Sequence, residues 1–198
     1  MVFKILVLGY AENSESALTC NPPSIITHFK TVNLFKVLRS FRCRSKMKGV
    51  YAVILKLDHH LSLDIGKKRF DLSPGIYIYA GSAFGPGGVS ARLGRHIKTF
   101  KTGATKKHWH IDFLIPHSAT FVPIYASSTR KLECDFVRTL RESGFKTVDG
   151  FGNTDCRSGC GGHLVILGDM DLRSATEVVI AAFDGIGLKA ELGRECLT

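Results

Sequence analysis

An arginine and a histidine stand one helical turn apart, at Arg92 and His96. The segment 89–100 has the apolar period of a helix, and both residues lie at the border between its apolar stripe and solvent. A guanidinium at such a border can bind a phosphate, and an imidazole can carry a proton. Alternatively, both are surface residues whose stems cover the edge of the core. On its own, the helix favours this second interpretation.

A carboxylate interrupts the apolar stripe of a second predicted helix. Glu133 falls at an angle between Val137 and Leu140, which belong to that stripe. A carboxylate that faces a core is costly unless it is paired or binds a metal. The position near the helix N-terminus, or a buried arginine, would also stabilise the negative charge. A functional and a structural interpretation of Glu133 therefore both stand.

Two histidines and an aspartate alternate in a segment that we predict to be a strand, 108–115. His108, His110 and Asp112 would then share one face of the sheet. Such a set could bind a transition metal, line a phosphate-binding surface or support Glu133. The alternative is a polar sheet face with hydrogen-bonded histidines, and this is the favoured interpretation.

Further along the chain, Cys156, Cys160 and His163 offer three soft metal ligands. A closed zinc site needs four ligands, so Cys134 or another histidine would have to supply the last one. We expect ordinary buried thiols here in preference to a structural zinc ion.

Strands and helices that would position these residues follow from periodicity and turn signals. A loop is predicted over 145–162, and Ser128 or Thr129 is the predicted cap of the helix that carries Glu133. The predicted strands are 50–57, 67–72, 75–81, 108–115, 120–126 and 163–167, and the predicted helices are 89–100, 129–143 and 176–183.

The chain is basic, with a net charge of +10 over 198 residues, which favours a polyanionic partner such as DNA or RNA. No apolar run is long enough for a membrane span, and we expect a cytoplasmic protein that does not engage membranes. We divide the chain into a basic extension at 1–46, a domain at 47–169 and a C-terminal tail with a short helix at 170–198. Met47 is an alternative natural start, which would leave the extension outside the natural chain.

Four short motifs resemble the GIY-YIG nuclease superfamily. Gly49-Val50-Tyr51 is similar to the GIY element and Tyr79-Ala80-Gly81 to the YIG element. The run from Arg92 to His96 resembles the RLxxH stretch of the family's first helix, and Glu133 stands where the family places its metal-binding glutamate. The literal Gly75-Ile76-Tyr77 is rejected, because only one residue would separate it from the second element.

Within that superfamily, residues 48–168 resemble the branch catalogued as domain of unknown function one-two-three. Its members look nuclease-like, and some are joined to an endonuclease III-type DNA repair enzyme. The resemblance implies an α+β fold in which a small, mostly antiparallel sheet is flanked by helices. Its motifs correspond here to SPGIYIYAGSAFGPGG (73–88), HWHIDFL (108–114), LEC (132–134) and GFGNTDCRSGCGGHL (150–164).

Three features depart from the family pattern. The spacing between the first two motifs is longer than usual, which implies an added strand or loop. Ala80 replaces the usual isoleucine. The segment from Cys156 to Cys160 is expanded relative to a tighter Cys-x-Cys.

The resemblance also implies a mechanism. Glu133 would bind Mg²⁺ or Mn²⁺, and Tyr51, together with His96, would activate water by accepting or relaying its proton. Arg92 would hold the scissile phosphate, and Tyr79 would position the phosphate or the first tyrosine. Because an ordinary tyrosine is a poor base at neutral pH, Arg92 and the metal would have to lower the pKa of Tyr51.

We therefore expect a metal-dependent endonuclease that acts on DNA in preference to RNA, with a role in DNA repair. The main alternative is a module on the same scaffold that binds nucleic acid without cutting it, and a third is a zinc-stabilised protein-interaction domain. The sequence identifies no protein partner. The residues predicted to contact nucleic acid are Gly87, Gly88, Arg95, Lys98, Lys106 and Lys107.

Overall fold

Eight strands and four helices make up the described part of the chain. The computed structural model describes residues 46–103, 106–153, 156 and 158–193. The strands are β1 (Gly49–Leu57), β2 (Leu61–Ile65), β3 (Lys68–Leu72), β4 (Gly75–Ala83), β5 (Thr120–Ser127), β6 (Lys146–Thr147), β7 (Leu164–Gly168) and β8 (Glu191–Leu192). The helices are α1 (Gly88–Thr102), α2 (Ile111–Leu114), α3 (Glu133–Glu142) and α4 (Leu172–Gly185). None of these helices is long and apolar enough to span a membrane.

The main sheet has six strands in the order β6-β7-β4-β1-β5-β8, and all its neighbours are antiparallel. β1 pairs with both β4 and β5, and every residue of it except Lys56 is buried. This explains its nearly continuous apolar sequence, because a central strand covered on both faces has no solvent side. β2 and β3 form a separate hairpin. The predicted α+β fold with a mostly antiparallel sheet is confirmed.

Each face of the sheet has its own core, because alternate residues of a strand point in opposite directions. The first face carries Tyr51, Val53 and Leu55 of β1, which pack with α1, α2 and the β2–β3 hairpin. The second face carries Val50 and Ile54, which pack with α3 and α4.

The C-terminal helix α4 is longer than predicted and belongs to the second core. Its first turn is capped by Asp171, whose side chain accepts hydrogen bonds from the backbone amides of Arg173 and Ser174. Val179 and Phe183 are fully buried, and the ring of Phe183 lies 4.6 Å from that of Phe136 on α3.

The predicted division of the chain into an extension, a domain and a C-terminal tail stays a prediction. Nearly all of the extension, 1–46, lies outside the described residues.

The strand predicted at 108–115 is wrong, since this segment forms α2 and the 3₁₀ turn that follows it. The physical reason is Asp112, whose carboxylate accepts the backbone amides of His108 and Trp109 and so closes a turn. α3 begins later than predicted, because the Ser128 hydroxyl accepts the amide of Arg130 in a turn that precedes the helix. β2 was not among the predicted strands, although it lies in the long spacing between the first two motifs, which implied an added strand or loop.

Candidate functional site

A tyrosine on β1 lies across a glycine on β4. Tyr51 and Gly81 are paired in the sheet, and a Cβ added at Gly81 would lie 2.5 Å from both Cζ and the hydroxyl oxygen of Tyr51. Tyr79 is two residues earlier on the same face, with its ring centroid 6.4 Å from that of Tyr51. The glycine therefore creates the space in which the Tyr51 hydroxyl lies.

The Tyr51 hydroxyl begins a line of three buried polar groups. Its oxygen is 3.0 Å from Nε2 of His96, on α1. Nδ1 of His96 lies 3.4 Å from Oδ1 of Asp112, at the start of α2. His96 and Asp112 are fully buried, and Tyr51 is only 2% exposed. Three separate elements thus bring a phenol, an imidazole and a carboxylate into one row.

Asp112 is fixed by hydrogen bonds to its other oxygen. Oδ2 accepts from Nη2 of Arg95 at 2.7 Å and from the backbone amides of His108 and Trp109 at 2.8 and 3.0 Å. Burial raises the pKa of Asp112, but the close contact with His96 and the hydrogen bonds from Arg95 and these amides outweigh it and hold that pKa far below its usual value. Asp112 is therefore an anion.

An anionic Asp112 determines the state of the neighbouring imidazole. The proton of neutral His96 belongs on Nδ1, which faces the carboxylate, so Nε2 accepts the hydrogen bond from the Tyr51 hydroxyl; we assign this tautomer from the network. Burial lowers the pKa of His96 despite the opposing effect of Asp112. His96 is thus a neutral base at pH 7.

The pKa of Tyr51 moves in the direction opposite to the one expected from the sequence. Burial raises it well above 10.0, and the nearby Tyr79 raises it further, whereas Arg92 lowers it by less. Arg92 alone therefore does not make Tyr51 a tyrosinate. A proton that leaves Tyr51 needs an acceptor in direct contact, and His96 is in that position.

Arg92 lies against the only tryptophan of the chain. Its guanidinium carbon is 3.7 Å from the ring centroid of Trp109, and that of Arg95 is 4.9 Å away. Trp109 also makes a T-shaped contact with His96, with ring centroids 5.8 Å apart. Cation–π contacts of this kind hold a guanidinium in place. Arg92 remains partly exposed and can meet an anion next to His96.

Glu133 is the first residue of α3 and has one oxygen available. The Ser82 hydroxyl donates a 3.0 Å hydrogen bond to Oε1. Oε2 is buried and has no hydrogen-bond partner among the described residues. The negative charge of Glu133 also contributes to the raised pKa of Tyr51 and of Tyr79, after the larger effect of burial. A buried, unpartnered carboxylate oxygen fits a cation ligand.

The predicted row of His108, His110 and Asp112 on one strand face does not exist, because the segment forms α2. His108 is exposed, and Asp112 is bound to Arg95. Nδ1 of His110 accepts the backbone amide of Gly152 at 3.0 Å, which gives His110 a structural role.

The residues predicted to contact nucleic acid fall into three groups. Arg95 points inward to Asp112, with a side chain that is 30% exposed. Gly87 and Gly88 have positive φ angles, and the amide of Gly88 bonds to the carbonyl of Gly85, so these glycines shape the turn into α1. The exposed residues of the set are Lys98, Lys106 and Lys107.

A second cluster lies where the start of α3 meets the loop before β7. One ligand atom from each of four residues lies within 4.8 Å of the others: Cys134, Cys156, Cys160 and His163. The sequence suggested three of them and left Cys134 or a histidine as the fourth ligand, and the fold brings Cys134 to the other three. This cluster could therefore hold a metal, although the sequence favoured ordinary buried thiols. Thiolate and imidazole donors suit zinc and not Mg²⁺, which prefers oxygen.

Comparison with known proteins gives one family. The family described as "Domain of unknown function DUF123" matches residues 50–185, more than half of the chain. The match extends through α4, in agreement with the place of that helix in the second core. No curated protein and no solved structure matches. The chain therefore belongs to the DUF123 family.

Proposed function

We propose that the protein is a metal-dependent nuclease that hydrolyses phosphodiester bonds in DNA. The observation that carries the proposal is the row Tyr51–His96–Asp112. The row ends at the hydroxyl of Tyr51 on β1, and the neighbouring strand β4 carries Ser82, whose hydroxyl donates a hydrogen bond to Glu133. The resemblance of the same tyrosine, histidine and glutamate to GIY-YIG nucleases supports it.

The row provides a route for the proton of an attacking water. Tyr51 accepts that proton on its oxygen while it passes its own proton to Nε2 of His96. The resulting imidazolium is stabilised by Asp112, which faces Nδ1 at 3.4 Å. Because the two transfers are coupled, no free tyrosinate forms, and the raised pKa of Tyr51 is no obstacle.

Two positive charges would stabilise the negative charge of the phosphate: a metal ion held by Glu133 and the guanidinium of Arg92. Glu133 would hold Mg²⁺ or Mn²⁺ through its unpartnered Oε2. Such an ion, when bound, supplies Lewis-acid polarisation of the phosphodiester. Arg92, held by Trp109, binds the phosphate oxygens and stabilises the charge that develops on them. Tyr79 is fixed beside Tyr51 and helps to position the hydroxyl.

The basic chain suits a nucleic-acid substrate. The preference for DNA over RNA, and a role in DNA repair, rest on the resemblance to nuclease-like relatives. A substrate set should therefore contain single-stranded, duplex, branched and damaged DNA together with RNA.

The decisive experiment is cleavage of this set by the full chain with Mg²⁺ or Mn²⁺, beside two matched variants. Glu133→Gln removes the charge of the proposed ligand and should lower the rate by at least about 10³-fold with DNA binding retained. Glu142→Gln changes an exposed glutamate at the other end of the same helix and should leave the rate unchanged.

Three results would contradict the proposal. They are an active Glu133→Gln variant, an equal loss in both variants, and a wild-type protein that cleaves nothing with either ion. Salt-sensitive binding without cleavage would favour the alternative, a module that holds nucleic acid without cutting it.

A further inference from the structure

We propose that Cys134, Cys156, Cys160 and His163 bind one zinc ion in a closed, structural site that fastens the start of α3 to the loop before β7. This site goes beyond the proposed nuclease function and does not depend on it.

The geometry of the cluster is that of a set of ligands around one centre. The sulfur of Cys156 is 3.2 Å from that of Cys134 and 3.3 Å from that of Cys160. Nε2 of His163 is 3.5 Å from the sulfur of Cys134. Ligands at tetrahedral angles around zinc, with bonds of about 2.0–2.3 Å, are separated by roughly 3.5–3.8 Å. A small inward or outward adjustment of the side chains therefore suffices.

Neither a disulfide nor a set of ordinary buried thiols accounts for the cluster as well as zinc does. A disulfide would use two of the sulfurs, and all three cysteines are free. It would also leave the third thiol and the imidazole without a role. All three cysteines do contact the second core, but packing alone does not require their sulfurs to converge on one another and on an imidazole, as they do here. Four convergent soft donors are the signature of zinc.

Four protein ligands leave no open coordination position, so this ion has a structural role. Glu133, the proposed ligand of Mg²⁺ or Mn²⁺, precedes Cys134 in the chain, but it offers an oxygen and not a soft donor. The two sites therefore take different metals.

The ion would replace a missing helix cap. The residue before α3 is Leu132, which makes no side-chain capping hydrogen bond to the first turn. Cys134 is the second residue of α3, so its bond to the metal would hold that turn. At the other end, the backbone amide of His163 donates to the carbonyl of Phe151, and its carbonyl accepts the amide of Ala80, which ties the same ion to the loop and to β4.

The first test is the metal content of the full chain, purified without chelators. We expect about one zinc ion per chain in the wild-type protein and almost none in Cys160→Ser. His59→Asn, which changes an exposed histidine between β1 and β2 that is not part of the cluster, is the matched control and should keep its zinc. Cobalt substitution should give the intense d–d absorption of a tetrahedral thiolate site in the wild type and in His59→Asn only. Wild-type protein without zinc would overturn the proposal, as would loss of zinc from both variants.

The second test examines the fastening of α3. Zinc removal should accelerate amide hydrogen exchange in 132–137 and 148–163 by at least about 10-fold and leave β1 and α1 protected. If Cys160→Ser does not fold, Cys160→His keeps four ligands and should retain both zinc and protection. Unchanged exchange after zinc removal would contradict the fastening role. Because neither test measures cleavage, an inactive protein that binds zinc would count against the proposed nuclease alone.

Discussion

Replacement of Gly81 by alanine tests the geometry of the site more directly than removal of any polar group. The added Cβ would stand 2.5 Å from Cζ and from the hydroxyl oxygen of Tyr51, whereas ordinary contact begins at 3.4 Å. The tyrosine ring must therefore retreat by about 0.9 Å, the difference between these distances. A retreat along the hydrogen bond would lengthen the 3.0 Å distance from Tyr51 to His96 to about 3.9 Å, which is too long for a hydrogen bond.

Opposing contributions decide the effect on stability. Overpacking costs about 1–3 kcal/mol, and the lost hydrogen bond costs about 1 kcal/mol more. Removal of a strand glycine gives back roughly 0.5–1 kcal/mol, because alanine loses less backbone entropy on folding. We expect a net loss of about 2 kcal/mol in the free energy of unfolding. If the protein is the nuclease we propose, a displacement of this size between proton donor and acceptor should also lower its cleavage rate about 10²-fold.

Tryptophan fluorescence can follow unfolding in urea, because Trp109 is the only tryptophan and its ring contacts His96. Gly94→Ala is the matched control. A Cβ at Gly94, inside α1, meets nothing within 4 Å, so this change should raise stability by about 1 kcal/mol. If Gly81→Ala were as stable and as active as the wild type, with unchanged fluorescence, the position assigned to the Tyr51 hydroxyl would be wrong.

Three further outcomes follow from the same contacts. Asp112→Asn should lower the free energy of unfolding by about 3 kcal/mol in urea titrations, because Arg95 loses a buried anionic partner; equal stability would contradict that pairing. The pKa of His96 is lowered in the folded protein, so the unfolded chain binds this proton at a higher pH than the folded protein does. The free energy of unfolding should therefore fall as pH drops below about 6.5. His96→Gln should flatten that slope by up to about 1.4 kcal/mol per pH unit, and an unchanged slope would exclude a neutral buried His96. If Lys106 and Lys107 contact phosphates, alanine at both should reduce the salt slope of DNA binding by about 1 to 2, and identical slopes would exclude those contacts.

The elements predicted correctly from the sequence have patterns that are complete within a few residues. β1 is a nearly continuous apolar run because both of its faces are covered, and α1 repeats its apolar residues at helical spacing. Local motifs, together with the resemblance to a family, were enough to select Tyr51, Tyr79 and His96 as candidate site residues. The structure brings Tyr51 and His96 into direct contact.

The segment around Asp112 was misassigned because its conformation depends on distant contacts. The alternation of polar and apolar residues in 108–115 is typical of a strand. A carboxylate that accepts two backbone amides, and is itself bound by Arg95 from another helix, stabilises a helical turn instead. The one local signal was the ability of aspartate to bond to nearby amides, which competes with a strand. No local sequence pattern predicts that the ring of Trp109 supports Arg92.

The two faces of the sheet divide the chemistry of the molecule. Tyr51 and the groups behind it belong to the first face, whereas α3, with Glu133 and Cys134, packs on the second. They approach each other at the end of β4, where successive residues point to opposite sides. Gly81 leaves room there for the Tyr51 hydroxyl, and Ser82 donates to Glu133. One strand therefore sets the distance between the Tyr51 hydroxyl and the Glu133 carboxylate. Zinc bound to Cys134 and its three neighbours, as we propose, would fix the start of α3 and with it the same distance.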